Sequence, residues 1–369
     1  MKIKFPDPFI AQFHGAMMLV IFALAFYFVF RIIASIVWSS SKEGYTNVPS
    51  SAAYSIPGPA INELSALQTA YKSVPIKIKS MNAVSSTLPI NQVCIKSSFN
   101  SARTGQYVHP DMIGFVLSRG VRLVDLEIYL VGGQAVVAFS NNGADPGPID
   151  PSANPVVNFD SLNSIPLGMA FTSITTNAFN SSSVPNPKDP LLVNLRIRST
   201  DPSIYSIVGG LVYTSMSGLL TTSNTSYQNT PPAGKIVLMI DNTLDPKWRT
   251  KASGATSSST SNLAKYISME TGNNAGSISI YRDDVFSTLN KWLPQITSTA
   301  NYTVGVKGAM IVYPTVNSAN PDILDRVQGW GAQMVCQQYH LSGDKNLQYA
   351  ESNIFTSSAI APLATILQQ

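Results

Sequence analysis

Histidine and cysteine are the side chains best suited to proton transfer and metal ligation near neutral pH, and this chain is poor in both. Its 369 residues include three histidines, His14, His109 and His340, and two cysteines, Cys94 and Cys336. Three histidines exclude a His-rich metal site, and two cysteines cannot make a disulfide framework. No CxxC, HExxH or P-loop pattern occurs. His340 closes the run QMVCQQYH, and His109 precedes a helical pattern, HPDMIGFVLSRG. A histidine standing alone at a strand end is more often structural than catalytic.

The rest of the composition is equally restrained. Charged residues make up 12% of the chain, against roughly a quarter in ordinary globular proteins. Ser, Thr, Asn, Pro and Gly take their place and predict a neutral, hydrogen-bonding surface. The formal charge is +4 with no Lys/Arg cluster, which argues against nucleic acid as a partner, because that needs a basic patch.

The elements that would position any site follow a repeating order. Strand candidates are NQVCIKS, GVRLVDLEIYL, QAVVAFS, LLVNLRI, GKIVLMI, GSISIY, KGAMIVY and AQMVCQQY. Several are apolar without alternation, as expected of strands covered on both faces. Helix candidates lie between some of them, at HPDMIGFVLSRG and DDVFSTLNKWLPQI. Eight strands with helical crossovers suggest an α/β fold, a (β/α)8 TIM-type barrel, although a doubly wound sheet has the same periodicity. The segment TKASGATSSSTSN, Thr250 to Asn262, reads as a surface loop or as a linker between two halves.

Ahead of this body, AMMLVIFALAFYFVF is unbroken apolar sequence, and IIASIVW continues it past Arg31 to Trp38. As a helix, Gly15 to Trp38 would span roughly 36 Å, enough for a hydrocarbon core of about 30 Å. A single N-terminal transmembrane helix over 15–38 is therefore expected, after a tail over 1–14, with the lipid bilayer as a partner. A cleaved signal peptide is the rival, but it has a shorter apolar core and small residues at its cleavage site. Lys2, Lys4, Arg31 and Lys42 are too evenly placed to orient the span. Residues 39–88 read as a stalk with one possible short helix in INELSALQTAYKS.

Over Pro89 to Phe355 the order of segments resembles the catalytic barrel of phosphoinositide-specific phospholipase C, written as an X half, a linker and a Y half. KSSFNSARTG is similar to the family's SSHNTYLTG, and LSRGVRLVDLEIYL with QAVVAFSNN to its RGCRCVELD and VVYHGHT stretches. DPLLVNLRIRST and GKIVLMIDN are similar to PVILSLENHCS and GKILIKNK. MIVYPTVNSANP and WGAQMVCQQYH are similar to its RIYP and GCQMV pieces. The resemblance implies a PLC-like barrel over 89–369, with an X-like half near 89–245, a linker near 250–275 and a Y-like half near 276–369.

That family cleaves a phosphodiester with a histidine base, a histidine acid and a calcium ion. Carried over position by position, the first histidine falls at Phe99 and the second at Phe139. The calcium ligands fall at Asn100, Asp125, Glu127 and Arg196. The headgroup-binding lysines fall near Met239 and Asp241, and the arginine before YP at Ile311; Tyr313 keeps its identity as a weak substrate-binding candidate. The resemblance therefore implies that no catalytic group is intact, with His340 the remnant candidate. Arg196 is expected to take the metal's place between the two acids, Arg198 being the candidate if the register is shifted. In a closed barrel Cys94 and Cys336 would lie on neighbouring strands, as two buried thiols or as a disulfide.

Three functions compete at this point. The first is a membrane-anchored pseudo-phosphodiesterase without a cofactor, serving as a structural or binding module among protein partners in an assembly; the composition would fit a virion membrane component. The alternative is an active phosphodiesterase or lipid hydrolase, with calcium, on a rearranged site. The third is a lipid-headgroup binder, against which the missing lysines count.

Overall fold

The protein is described by a computed structural model covering residues 54–140, 159–199, 201–221, 226–253, 260–272, 276–298, 303–315 and 318–369. The chain divides into two compact units, Met1–Pro49 and Ser50–Gln369. The expected transmembrane helix lies outside the described residues, among which no helix is long and apolar enough to cross a membrane.

Eight short parallel strands form the centre of the second unit: β1 Ser97–Ser98, β2 Leu123–Val131, β3 Leu191–Ile197, β4 Ile236–Asp241, β5 Met269–Thr271, β6 Ser279–Arg282, β7 Met310–Tyr313 and β8 Met334–Gln337. They are hydrogen-bonded side by side in the order β5-β4-β3-β2-β1-β8-β7-β6. The two ends of that row meet at a parallel bridge between Thr271 and Ile278, where Gly272 N–H donates to Ile278 O at 2.8 Å and Ile278 N–H to Glu270 O at 2.9 Å. The result is a nearly closed eight-strand barrel, and the doubly wound alternative falls away because the sheet's ends meet.

The crossovers are α2 Pro110–Ser118, α3 Leu167–Asn177, α4 Ser203–Met216, α5 Trp248–Ser253 and α6 Ile323–Trp330, preceded by α1 Gly58–Ala70 and followed by α7 Lys345–Tyr349. Local chemistry sets their ends. The His109 side chain caps α2 by accepting from Asp111 N–H at 3.0 Å, with Pro110 in the first turn. Asp322 caps α6, which stops at Gly331 in the left-handed region, φ +72.

The apolar strands bury both faces. Outward residues such as Val124, Leu126, Val193, Leu195, Leu238 and Ile240 pack under the helices. Inward residues Leu123, Leu192, Val237, Met239, Ile311 and Met334 fill the barrel. The floor is made by Val93–Ile95 pairing antiparallel with Ile360–Pro362. Cys94 and Cys336 are both free thiols. Cys336 lies among the barrel interior and Cys94 in the cluster outside the wall, so they face different cores.

Several expectations need correction. QAVVAFS is no barrel stave: Gln134–Val137 folds back antiparallel on β2, because the two glycines 132 and 133, both at positive φ, turn the chain. The eighth stave is Met269–Thr271, inside the stretch expected to be the linker; it is too short to announce itself by pattern. DDVFSTLNKWLPQI is not a helix beyond one turn at Asp283–Ser287, since Leu293 takes φ +46 before Pro294. Nor is the stalk a stalk from residue 54 onward. Leu64, Leu67 and Tyr71 of this segment enter the main core.

A buried ion cluster holds that segment down. Glu351 receives Lys96 Nζ at 2.8 Å and also the guanidinium of Arg119, which bonds Val74 O at 2.9 Å and stacks 5.0 Å from the Tyr71 ring. Burial pushes the Glu351 pKa up, but the charges of Lys96 and Arg119 and their hydrogen bonds outweigh it and hold the carboxyl below its ordinary value.

Candidate functional site

Along β2 and β3 the side chains alternate between the barrel interior and the helices. Register pairs Asp125 with Asn194 and Glu127 with Arg196. These polar residues stand above the apolar filling made by Leu123 and Leu192, at the C-terminal end of the strands. That is the end where barrels of this kind build their sites.

Arg196 is the centre of the group. Its Nε donates to Asp125 Oδ1 at 2.9 Å and Oδ2 at 3.1 Å, and one terminal nitrogen reaches Asp125 Oδ2 at 2.8 Å. The same nitrogen donates to the Asn100 side-chain oxygen. The other lies 3.1 Å from Glu127 Oε2. The side chains of Arg196, Asp125 and Glu127 are 0% exposed. Burial alone would lower the Arg196 pKa; the carboxylates of Asp125 and Glu127 outweigh it and hold the guanidinium charged, above its ordinary range.

The surrounding groups lock this arrangement. Asn100, at φ +44, donates its backbone N–H to Asp125 Oδ2 at 3.1 Å; asparagine tolerates that conformation better than most residues. Asn194 Nδ2 donates to Asp125 Oδ1 at 3.1 Å and to the Tyr313 hydroxyl at 2.7 Å, and its oxygen accepts from Thr271 at 3.1 Å. Glu127 also accepts from the Tyr129 hydroxyl at 2.7 Å and from Arg198 Nε at 3.2 Å. The Phe99 ring centre is 4.6 Å from the Arg196 guanidinium carbon and 5.0 Å from the Tyr313 ring, closing the cluster on that side.

The calcium that the resemblance implies does not fit these residues. Calcium takes six to eight oxygens at about 2.3–2.6 Å. The oxygens of Asn100 and Asp125 and one oxygen of Glu127 face one guanidinium instead, and the other Glu127 oxygen is taken by Tyr129 and a second cation, Arg198. Among the described residues no group of three or more His, Cys, Asp or Glu side chains is placed to hold a metal.

Of the positions singled out by sequence, Phe99, Asn100, Asp125, Glu127, Arg196 and Tyr313 come together. Tyr313 is wholly buried, with both its bonds inside the cluster, so it offers no surface to a substrate. Burial, then the charges of Asp125 and Asp241, push its hydroxyl well above the ordinary range. Asp241, near which a headgroup lysine was expected, is buried and accepts from Thr243 N–H at 2.9 Å; burial raises its pKa. Phe139 and His340 belong elsewhere. Phe139 carries the guanidinium of Arg103 at 4.0 Å from its ring centre. His340, three residues past the end of β8, lines an open cleft beside Arg103. Burial, then the nearby Arg103 charge, lower the His340 pKa to about 3, so its imidazole is neutral at physiological pH.

Sequence reasoning missed Asn194, Thr271 and Arg103. Asn194 was within reach: in LLVNLRIRS the polar residues 194, 196 and 198 alternate in an otherwise apolar strand, and share the face of Leu192. Arg103 carried no local signal.

No protein-family model matches this chain, and no curated protein does. The chain is similar to solved structures of phospholipases C. One is S. officinalis PLC21, 12% identical, over 77% of this chain and 38% of that one, with a TM-score of 0.49. Another is the calcium-dependent phosphoinositol-specific phospholipase C of Pseudomonas sp, 13% identical over 79% of this chain and 99% of that one, TM-score 0.42. The calcium-dependent enzyme of Streptomyces antibioticus is 12% identical over 50% and 66%, TM-score 0.33. The chain thus spans well under half the length of the first of these.

Proposed function

We propose that this chain is a retired phosphodiesterase barrel, held at a membrane by residues 15–38, that works by binding rather than by cleaving. One observation carries the reading: the guanidinium of Arg196 fills the space between Asn100, Asp125 and Glu127, with Phe99 stacked on it. Hydrolysis of a phosphodiester needs a base, an acid and a stabiliser of charge on the phosphate. The two positions where histidines would be expected hold phenyl rings, and the stabilising cation is sealed from solvent. His340, neutral and alone, supplies no second proton-transfer group.

The test is calorimetric. The full chain in detergent micelles is titrated with calcium, and hydrolysis of a phosphodiester lipid is followed in the same preparation. The expected result is no saturable heat and no turnover. Saturable calcium binding with calcium-dependent turnover would overturn the reading.

A further inference from the structure

Three asparagines, Asn180, Asn224 and Asn301, stand two residues ahead of a serine or threonine with no proline between. That is the pattern on which oligosaccharides are attached to asparagine. In a chain so rich in Ser and Thr the pattern also arises by chance, so the spacing alone decides nothing. Of the three, Asn180 lies among the described residues, and its surroundings single it out.

Asn180 comes just after the end of α3 and opens a tight turn, its carbonyl accepting from Ser183 N–H at 2.9 Å and Val184 N–H at 3.0 Å. Both ends of the turn are fixed. Ala178 is wholly buried and its carbonyl accepts from Arg122 Nη1 at 2.8 Å, while Val184 packs into the main core. Between them Asn180, Ser181 and Ser182 are exposed. The Asn180 side-chain oxygen accepts from Ser182 N–H at 3.0 Å and from the Ser182 hydroxyl at 2.7 Å, an Asx turn that joins the first and third residues of the motif. The Asn180 amide nitrogen has no partner among the described residues. Arg122, which holds this turn, directly precedes β2, so the turn lies at the end of the barrel opposite the Arg196 group.

We infer that Asn180 is an N-glycosylation site, and that the barrel therefore folds on the lumenal or outer side of the membrane. The substrate is an oligosaccharide carried on a lipid pyrophosphate. Asn180 Nδ2 attacks the anomeric carbon, and the new carbon–nitrogen bond replaces the carbon–oxygen bond to the pyrophosphate. The pyrophosphate leaves with its lipid, and the amide proton passes to a base of the transferase. The side-chain oxygen is held by Ser182, and the nitrogen is the atom left over for the bond. The turn closes within five residues, so it can form on a chain whose barrel is not yet assembled. In the folded state its exposure leaves room for a bulky sugar. Lys and Arg around residues 15–38 leave the orientation of that segment open; a sugar at Asn180 orients it. Cys94 and Cys336 are buried in separate cores, so an oxidising compartment leaves them unpaired. The inference goes beyond the retired-barrel reading and does not rest on it.

The test is translation of the full chain with endoplasmic-reticulum microsomes, which supply the transferase and the lipid-linked sugar, followed by mass spectrometry of the peptide that contains Asn180. Sugar on Asn180 is expected, and peptide-N-glycosidase should remove it and leave aspartate at that position. Asn180→Gln and Ser182→Ala should each abolish the modification. Ser182→Thr keeps the hydroxyl and should keep the sugar, so a loss in Ser182→Ala reports the hydroxyl and not the fold. An Asn180 without sugar, in a chain modified at Asn224 or Asn301 or in one modified nowhere, would overturn the site. Digestion of the barrel by protease added outside sealed microsomes would overturn the orientation as well. Phosphodiester turnover by the same chain would bear on the retired-barrel reading alone.

Discussion

Two arginines stack on two phenyl rings at the same end of this barrel, and they do opposite things. Arg196 on Phe99 is sealed, with Asp125 and Glu127 against it. Arg103 on Phe139 lines an open cleft. The ring is the same in both cases, so the ring does not decide the role. Enclosure does: a guanidinium among buried carboxylates is part of the architecture, and one lining an open cleft is set apart from that cluster.

The largest way to break this contrast is to remove the sealed cation. Arg196→Ala leaves Asp125 and Glu127 buried with lost partners, and removing one member of a buried ion pair costs about 3–5 kcal/mol. Urea unfolding of the full chain should show a loss of that size. A loss below about 1 kcal/mol would mean the cluster is wet and loose, and the contrast with Arg103 would fail.

Returning a histidine to the first phenyl position is the next largest. Phe99→His puts a polar ring beside a buried guanidinium, at a cost of about 1–3 kcal/mol. No hydrolysis should appear, because the cation that would stabilise the phosphate stays out of reach. Turnover by this variant would show that one substitution separates the barrel from an enzyme.

How much of this was legible beforehand depended on element length. The long staves LLVNLRI and GVRLVDLEIYL announced a covered parallel sheet, while the convergence of Asp125, Glu127 and Arg196 was legible only through the resemblance to the phospholipase C barrel. Met269–Thr271 was invisible because three residues carry no period. The packing of 54–88 onto the barrel was hidden too. Its Pro, Gly and Ser punctuation is that of a linker, while Leu64, Leu67 and Tyr71 find their partners far away in sequence. The Arg103 cleft belongs to the same class: its lining comes from three loops that only the closed barrel brings together.

Acid should expose the open region before the sealed one. The His340 pKa, about 3 in the folded chain, lies below its ordinary 6.5, so between those values the unfolded chain binds the extra proton. Stability is therefore lost as pH falls below about 6.5. His109, also lowered by burial, acts in the same direction, whereas Asp241 and Asp189, both raised by burial, oppose it nearer their ordinary range. Glu351, held low, loses its contribution only below its ordinary 4.5. Comparing wild type with His340→Gln between pH 7 and 5 isolates one imidazole, worth about 1–2 kcal/mol across that window. Parallel curves for the two proteins would refute it.

The smallest expected change sharpens the contrast most. Arg103→Gln at pH 7 removes a stacked cation with no carboxylate dedicated to it, so stability should move by no more than about 1 kcal/mol. The same substitution has a second consequence, because the Arg103 charge is one of the two causes that depress His340. Without it the imidazole protonates at higher pH in the folded chain, so the acid loss, which in wild type runs down to about pH 3, should end at a higher pH, below the pH 7 to 5 window. Following the His340 ring resonances through an NMR pH titration reads this directly. A His340 titration that does not move in Arg103→Gln would mean the two side chains do not share one cleft.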